Sequence, residues 1–164
     1  MISQIFRKVN KRLRVLLALR NAVADTDNRL AGKNIRKILV LCYGNIYRSP
    51  LAAQYLREKL GQEYDVRSAG FYPKLDRPSP EAHVKMCAEH QIDLSNHRSS
   101  IISHELAEWA DAIIIMDSHN WYALADYGNK AFLKVIWLGA VLDQQFVEIS
   151  DLYGRPENQA KSIV

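Results

Sequence analysis

The sequence predicts an α/β domain, a parallel sheet with helices on both faces, and three observations carry that prediction. Two short runs, 38–41 and 112–116, are apolar throughout, the pattern of strands buried on both faces. Helical patterns separate the strand patterns, and strands that alternate with helices pair in parallel through crossovers. The third observation is Cys42-Tyr-Gly-Asn-Ile-Tyr-Arg-Ser-Pro50, where the first strand enters a tight loop and then a helix. In such a sheet the ligand lies beyond the carboxyl ends of the strands, where strand order reverses. Cys42 ends the first strand and Asp117 follows the third, so both fall at that edge.

The elements follow in order. Residues 1–35 form a basic amphipathic extension and linker, and the domain proper spans 36–164. In the extension Ile5, Val9, Leu13, Leu16, Arg20 and Val23 keep helical spacing, with Arg7, Lys8, Lys11, Arg12 and Arg14 mostly on the other faces. Residues 25–36, with Asp25-Thr-Asp-Asn28 and Gly32, read as a polar linker. After the strand at 38–41 and its loop, Ser49-Pro50 opens a helix through 60, Gly61 turns the chain, and 64–69 is a strand. Three prolines make 71–80 a loop. A helix at 80–90, a polar loop around His97, a helix at 103–109 and the strand at 112–116 come next. A helix at 120–127, a strand at 132–138 and the start of a short helix at 156–164 complete the chain.

The loop is where the chemistry concentrates. Gly44 and Asn45 tolerate left-handed backbone, and in such a turn the amides converge on one spot at the positive end of the following helix. A thiol at that spot is favoured as thiolate, and Arg48 offers a planar fork that matches two phosphate oxygens. The competing reading of Cys42, a small buried hydrophobe at a strand end, leaves the Gly-Asn and Ser-Pro pairs unexplained. The segment reads as a phosphate cradle with a nucleophile at its base.

These residues resemble the low-molecular-weight protein tyrosine phosphatases, whose signature is similar to Cys-x-Gly-Asn-x-Cys-Arg-Ser-Pro. Further likenesses fall in family order: Ser68-Ala-Gly70, His97, Met116-Asp117 with Asn120, and Asp151-Leu-Tyr-Gly154. The resemblance covers 36 to the C-terminus and implies a four-stranded parallel sheet in order 2-1-3-4. It also implies hydrolysis of phosphotyrosine in proteins through a cysteinyl-phosphate on Cys42, with Arg48 and the loop from Tyr43 through Gly44, Asn45, Ile46 and Tyr47 holding the phosphoryl oxygens. Asp151 is the implied general acid, with Glu148 in reserve, and Ser49, Ser68 and His97 brace the loop. Asp117 either fixes Arg48 or caps the strand end. Tyr43, Tyr47, Tyr153 and one of Phe71 or Tyr72 are expected as aromatic walls, and Ile46, where phosphoarginine-directed relatives resemble one another in having Thr, favours phosphotyrosine. Two departures stand out: Leu152 replaces a proline, loosening the acid loop, and Tyr47 replaces a second cysteine that could shelter the nucleophile as a disulfide.

Two alternatives remain open. An arsenate reductase of the same fold would need two further cysteines, and only Cys87 is present. A catalytically impaired phosphotyrosine-binding regulator would follow if Leu152 disabled the acid loop. No metal or other cofactor is expected: of the heptad-spaced His83, His90, His97 and His104, only the first two could share a helix.

Composition bounds the setting. At 164 residues and 48% hydrophobic the chain can bury one sizeable core, and two cysteines supply no disulfide framework. A required thiolate suits a reducing, cytoplasmic compartment. The net charge of +4 is uneven: residues 1–37 hold ten Lys or Arg against Asp25 and Asp27, so the remainder is acidic. For residues 1–24 the sequence leaves docking on the domain or a second copy, peripheral contact with anionic lipid, an acidic protein partner, or a presequence. No nucleic acid is expected, since the segment nearly lacks aromatic residues. The implied partner is a phosphotyrosine protein, such as a bacterial tyrosine kinase at the membrane's inner face.

Overall fold

The structure, a computed structural model, describes residues 2–31, 34–142, 147–151 and 153, with side chains described from Leu13 onward. Four strands, β1 (Lys37–Cys42), β2 (Asp65–Gly70), β3 (Ala112–Ile115) and β4 (Val135–Trp137), pair in parallel in the order β2-β1-β3-β4. The expected order is the observed one. β1 is central, with Val40 between Ser68 and Ile114, and Cys42 opposite Gly70 at the carboxyl edge.

Both faces are buried. Leu39, Leu41, Ile113, Ile115, Val135 and Trp137 pack on one side, and Ile38, Val40, Cys42, Ala112, Ile114 and Ile136 on the other. The alternation along each strand explains why these runs are apolar without interruption. Each leucine or isoleucine removed from water there contributes about 1.5–3 kcal/mol.

The described residues form eight helical segments: α1 (Ile2–Leu30), α2 (Arg48–Leu60), α3 (Glu81–Glu89), α4 (His104–Trp109), α5 (Ser118–Ala123), a 3-10 turn at Leu124–Tyr127, α6 (Asn129–Phe132) and α7 (Leu138–Leu142). α2 lies against β1 and β2, while α1 packs on β4, α7 and α5. The helix at 156–164 and the residue Leu152 fall outside the described residues.

Three expectations change. The linker set at 25–36 begins later, because α1 continues to Leu30. Thr26 is buried and its hydroxyl accepts the Trp137 N–H at 3.2 Å, while Arg29 donates to the Phe132 and Leu133 carbonyls at 3.1 and 3.2 Å. Those contacts override the turn preference of Asp-Thr-Asp-Asn. The strand expected at 132–138 shortens to Val135–Trp137, because Gly128, with φ of 91°, starts the helical turn that takes in Phe132. The helix expected at 120–127 starts at Ser118, because the Asp117 carboxylate accepts the Asn120 N–H at 2.8 Å, and its second half is the 3-10 turn.

Candidate active site

β1 delivers Cys42 to the carboxyl edge of the sheet, and the loop folds back over its sulfur. The Asn45 N–H donates to Sγ at 3.2 Å, and the Ser49 hydroxyl lies 3.0 Å from it. Cys42 is 2% exposed, yet it lines an open cleft of about 150 Å³. The sulfur therefore faces donors at the floor of a pocket, a setting suited to an anion.

Asn45 is the hub. With φ of 50° it is the loop's left-handed residue, whereas Gly44, expected to share that role, is not. Its side-chain amide donates to Ser49 Oγ at 2.8 Å and Ser68 Oγ at 3.0 Å, and its Oδ1 accepts the Ser100 N–H at 2.8 Å. Beside it, Gly70 permits a close approach. A Cβ there would stand 2.7 Å from the Tyr43 carbonyl oxygen and 2.9 Å from the Asn45 nitrogen.

Three loop carbonyls point outward, and each meets a donor from another element. Arg77 Nη2 donates to Gly44 O, His97 Nε2 to Asn45 O at 2.8 Å, and His83 Nε2 to Tyr47 O at 3.1 Å. In trans peptides the following N–H points the opposite way, so each outward carbonyl turns the amide of Asn45, Ile46 or Arg48 inward. The rim thus helps set the ring of amides. Burial draws both imidazoles below their usual pKa, against the opposing effect of their carbonyl bonds. His97 was legible as a brace, while Arg77 and His83 were not, since they lie 33 and 36 residues from the carbonyls they hold.

Arg48, 5% exposed, begins α2. Nη1 pairs with Asp117 at 2.5 Å and donates to the Ile149 carbonyl at 3.0 Å, and Nη2 pairs with Asp151 at 2.6 Å. Its Nε is buried without a hydrogen-bond partner among the described residues. Two lysine-like point contacts could not share a charge this way; the planar fork can. Asp117 holds Arg48 through Oδ2, and through Oδ1 it caps the start of α5 rather than the strand end. Asp151 is brought to the cleft by the Ile149 N–H, which donates to the Met116 carbonyl at 2.7 Å. Glu148 instead accepts the Ser118 N–H at 2.6 Å, at the start of α5.

The cleft is lined by Tyr43, Ile46, Tyr47, Tyr72 and Tyr153 around Cys42 and Asp151. Tyr43 and Tyr72 meet edge to face at 5.8 Å, and Phe71 packs on Tyr127 instead. Tyr47 lies 4.9 Å from the His83 ring; burial and the nearby Tyr153 and Asp151 raise its phenol pKa. Cys87, behind His83, is buried with Ile92 and Leu94, and burial pushes its thiol up to about 11. The heptad histidines go separate ways: His83 and His97 hold the loop, and His104 packs on Tyr127.

Residues 37–163 match the family model of the low molecular weight phosphotyrosine protein phosphatases. The chain belongs to that family. Members similar to it include the probable low molecular weight protein-tyrosine-phosphatase EpsP of Ralstonia nicotianae, 41% identical over 83 residues that cover 51% of this chain and 57% of that one. Among solved structures, the family fold recurs in the Erwinia amylovora tyrosine phosphatase amsI, with a TM-score of 0.74, 25% identity, and coverage of 82% of this chain and 87% of that one. The YwlE arginine phosphatase from Geobacillus stearothermophilus is also similar, at a TM-score of 0.70, 26% identity, and coverage of 78% and 82%. The matched stretch is thus little more than half of EpsP's length. Relative to the family model, α1 is an added element, ending before Lys37.

Proposed function

We propose that the chain is a protein-tyrosine phosphatase that hydrolyses phosphotyrosine through a phosphoryl group held on Cys42. The observation that carries this reading is a sulfur facing two donors, beside an arginine whose buried Nε lacks a partner. An oxyanion seated over the sulfur would supply that partner.

The arriving phosphate takes over Arg48 Nη2 and Nε, releasing Asp151 from its ion pair. Asp151, parted from Arg48, takes up a proton from solvent; the Cys42 thiolate attacks phosphorus, the P–O bond to the aryl group breaks, and Asp151 gives that proton to the leaving oxygen. Water then attacks phosphorus, the P–S bond breaks, Asp151 takes the proton back, and phosphate and thiolate separate. The inward amides and Arg48 hold the equatorial oxygens most tightly in the planar transition state.

Ile46, 7% exposed on the cleft wall, supports a flat aryl group over a guanidinium. The absence of a third cysteine and the burial of Cys87 weigh against arsenate reduction. The test is turnover of p-nitrophenyl phosphate, with phosphoarginine and arsenate run alongside. Cys42→Ser is expected to abolish it and Asp151→Asn to lower kcat by about 10²-fold or more; activity surviving Cys42→Ser would refute the mechanism.

For the setting, we propose that the N-terminal half of α1 rests on anionic lipid, near a membrane-associated tyrosine kinase as substrate. Leu13, Leu16 and Leu17 are 54%, 63% and 49% exposed, and the sequence around them is rich in Lys and Arg. No described helix is long and apolar enough to cross a membrane. Co-sedimentation with phosphatidylserine vesicles, lost in pure phosphatidylcholine and in Leu16→Asp, is the expected result; equal binding to both vesicles would remove the lipid reading.

A further inference from the structure

We infer that Arg77 reads an acidic side chain flanking the phosphotyrosine, so that the substrate is an acidic peptide segment. This rests on the phosphotyrosine reading above and specifies the substrate of the same site. Two arginines serve the site, Arg77 lining the cleft and Arg48 bonded to its Asp151, and they differ in charge balance. Arg48 is already paired with Asp117 and Asp151. Arg77 lines the same cleft, and among the described residues no carboxylate pairs with it.

Arg77 is also held ready. Its guanidinium lies 4.5 Å from the centre of the Tyr72 ring, Nη2 donates to the Gly44 carbonyl, and Nε reaches the Lys74 carbonyl at 3.4 Å. Its backbone N–H donates to Ser99 Oγ at 3.0 Å. A guanidinium carries five N–H donors, so these contacts leave several free on a group whose orientation is already fixed. The phosphoryl group is served by Arg48 and the loop amides, which leaves Arg77 to meet charge beyond it.

The cleft is polarised as a result. Tyr43, Tyr72 and Arg77 make one wall, while Asp151 stands with Tyr47 and Tyr153. Asp76, exposed and with φ of 59°, is the acidic residue of the Arg77 loop. A phenyl phosphate between the walls places its flanking residues at the rim, where a carboxylate on the Arg77 side gains a fork partner over an aromatic face.

The experiment compares kcat/KM for matched phosphotyrosine peptides carrying Glu, Gln or Lys at the flanking positions, on each side in turn. The wild type is expected to prefer Glu over Gln by about fivefold at low salt on one side, with the preference shrinking in 0.5 M NaCl. Arg77→Gln is expected to bring the Glu/Gln ratio to about one, Arg77→Lys to keep part of it, and Arg77→Glu to favour Lys. Inhibition by inorganic phosphate separates the alternative of a contact to the reacting group. A Glu/Gln ratio unchanged in Arg77→Gln, whatever general loss of turnover follows from freeing the Gly44 carbonyl, would overturn the inference. Failure of the wild type on all phosphotyrosine peptides would instead strike the phosphatase reading itself.

Discussion

Asn45 shows how much one residue can carry in a loop of this kind. A left-handed position could have been given to glycine, which lacks the strain but also lacks a side chain. Here the side chain ties Ser49, Ser68 and the Ser100 amide together beneath the sulfur. Gly70 is the complementary case, where any side chain at all would collide with the loop backbone. Gly70→Ala is therefore expected to lower kcat by at least tenfold and stability by about 1–3 kcal/mol, read from aryl phosphate turnover and urea unfolding. Full activity in that variant would show the loop can move aside. The same residues mark the limit of what the sequence reveals. Cys42, Asn45, Arg48 and Ser49 were legible because their chemistry is compressed into eight consecutive positions. Arg77 and His83 were not, because an arginine in a proline-rich loop and a histidine on a helix carry no local sign that they meet a carbonyl across the fold.

Among the elements, α1 runs longer than its own sequence signals, for a related reason. Asp25-Thr-Asp-Asn28 has the composition of a turn, and only the partner strand makes it helix. Thr26 accepts a hydrogen bond from Trp137, whose N–H has no strand beyond it to pair with. Thr26→Val preserves shape and strands that donor, so a loss of about 1–3 kcal/mol is expected in denaturant unfolding. Thr26→Ser, which keeps the hydroxyl, is expected to lose less. Equal stability of Thr26→Val and wild type would mean that water replaces the hydroxyl. The strands were more legible than the helices at their ends, since two-sided burial writes itself as unbroken Ile, Leu and Val. β4, the shortest and one of the two edge strands, departs most from its expected bounds.

For the whole molecule, the two loop-holding histidines couple activity and folding to acidity. Both imidazoles are held below the usual 6.5, chiefly by burial. The unfolded chain thus binds protons that the folded one resists, and stability rises with pH across this window. The contribution is fully present above about pH 6.5 and is lost as pH falls through the lower folded values. The groups facing them share that direction: His97 opposes the charging of His83, and Arg57 and Arg98 that of His97. Tm is expected to drop between pH 7 and 5, and less steeply in His83→Gln, which retains a donor for the Tyr47 carbonyl without titrating. An identical slope in the variant would place the titration elsewhere.

A sheet with β4 on its rim has an unfinished seam, and α1 is what closes it. The helix that seals the seam is also the one that carries the exposed Leu13, Leu16 and Leu17. Peeling α1 from its seat would leave the Trp137 N–H without its Thr26 partner at an outer strand edge, open to pairing with a neighbouring molecule.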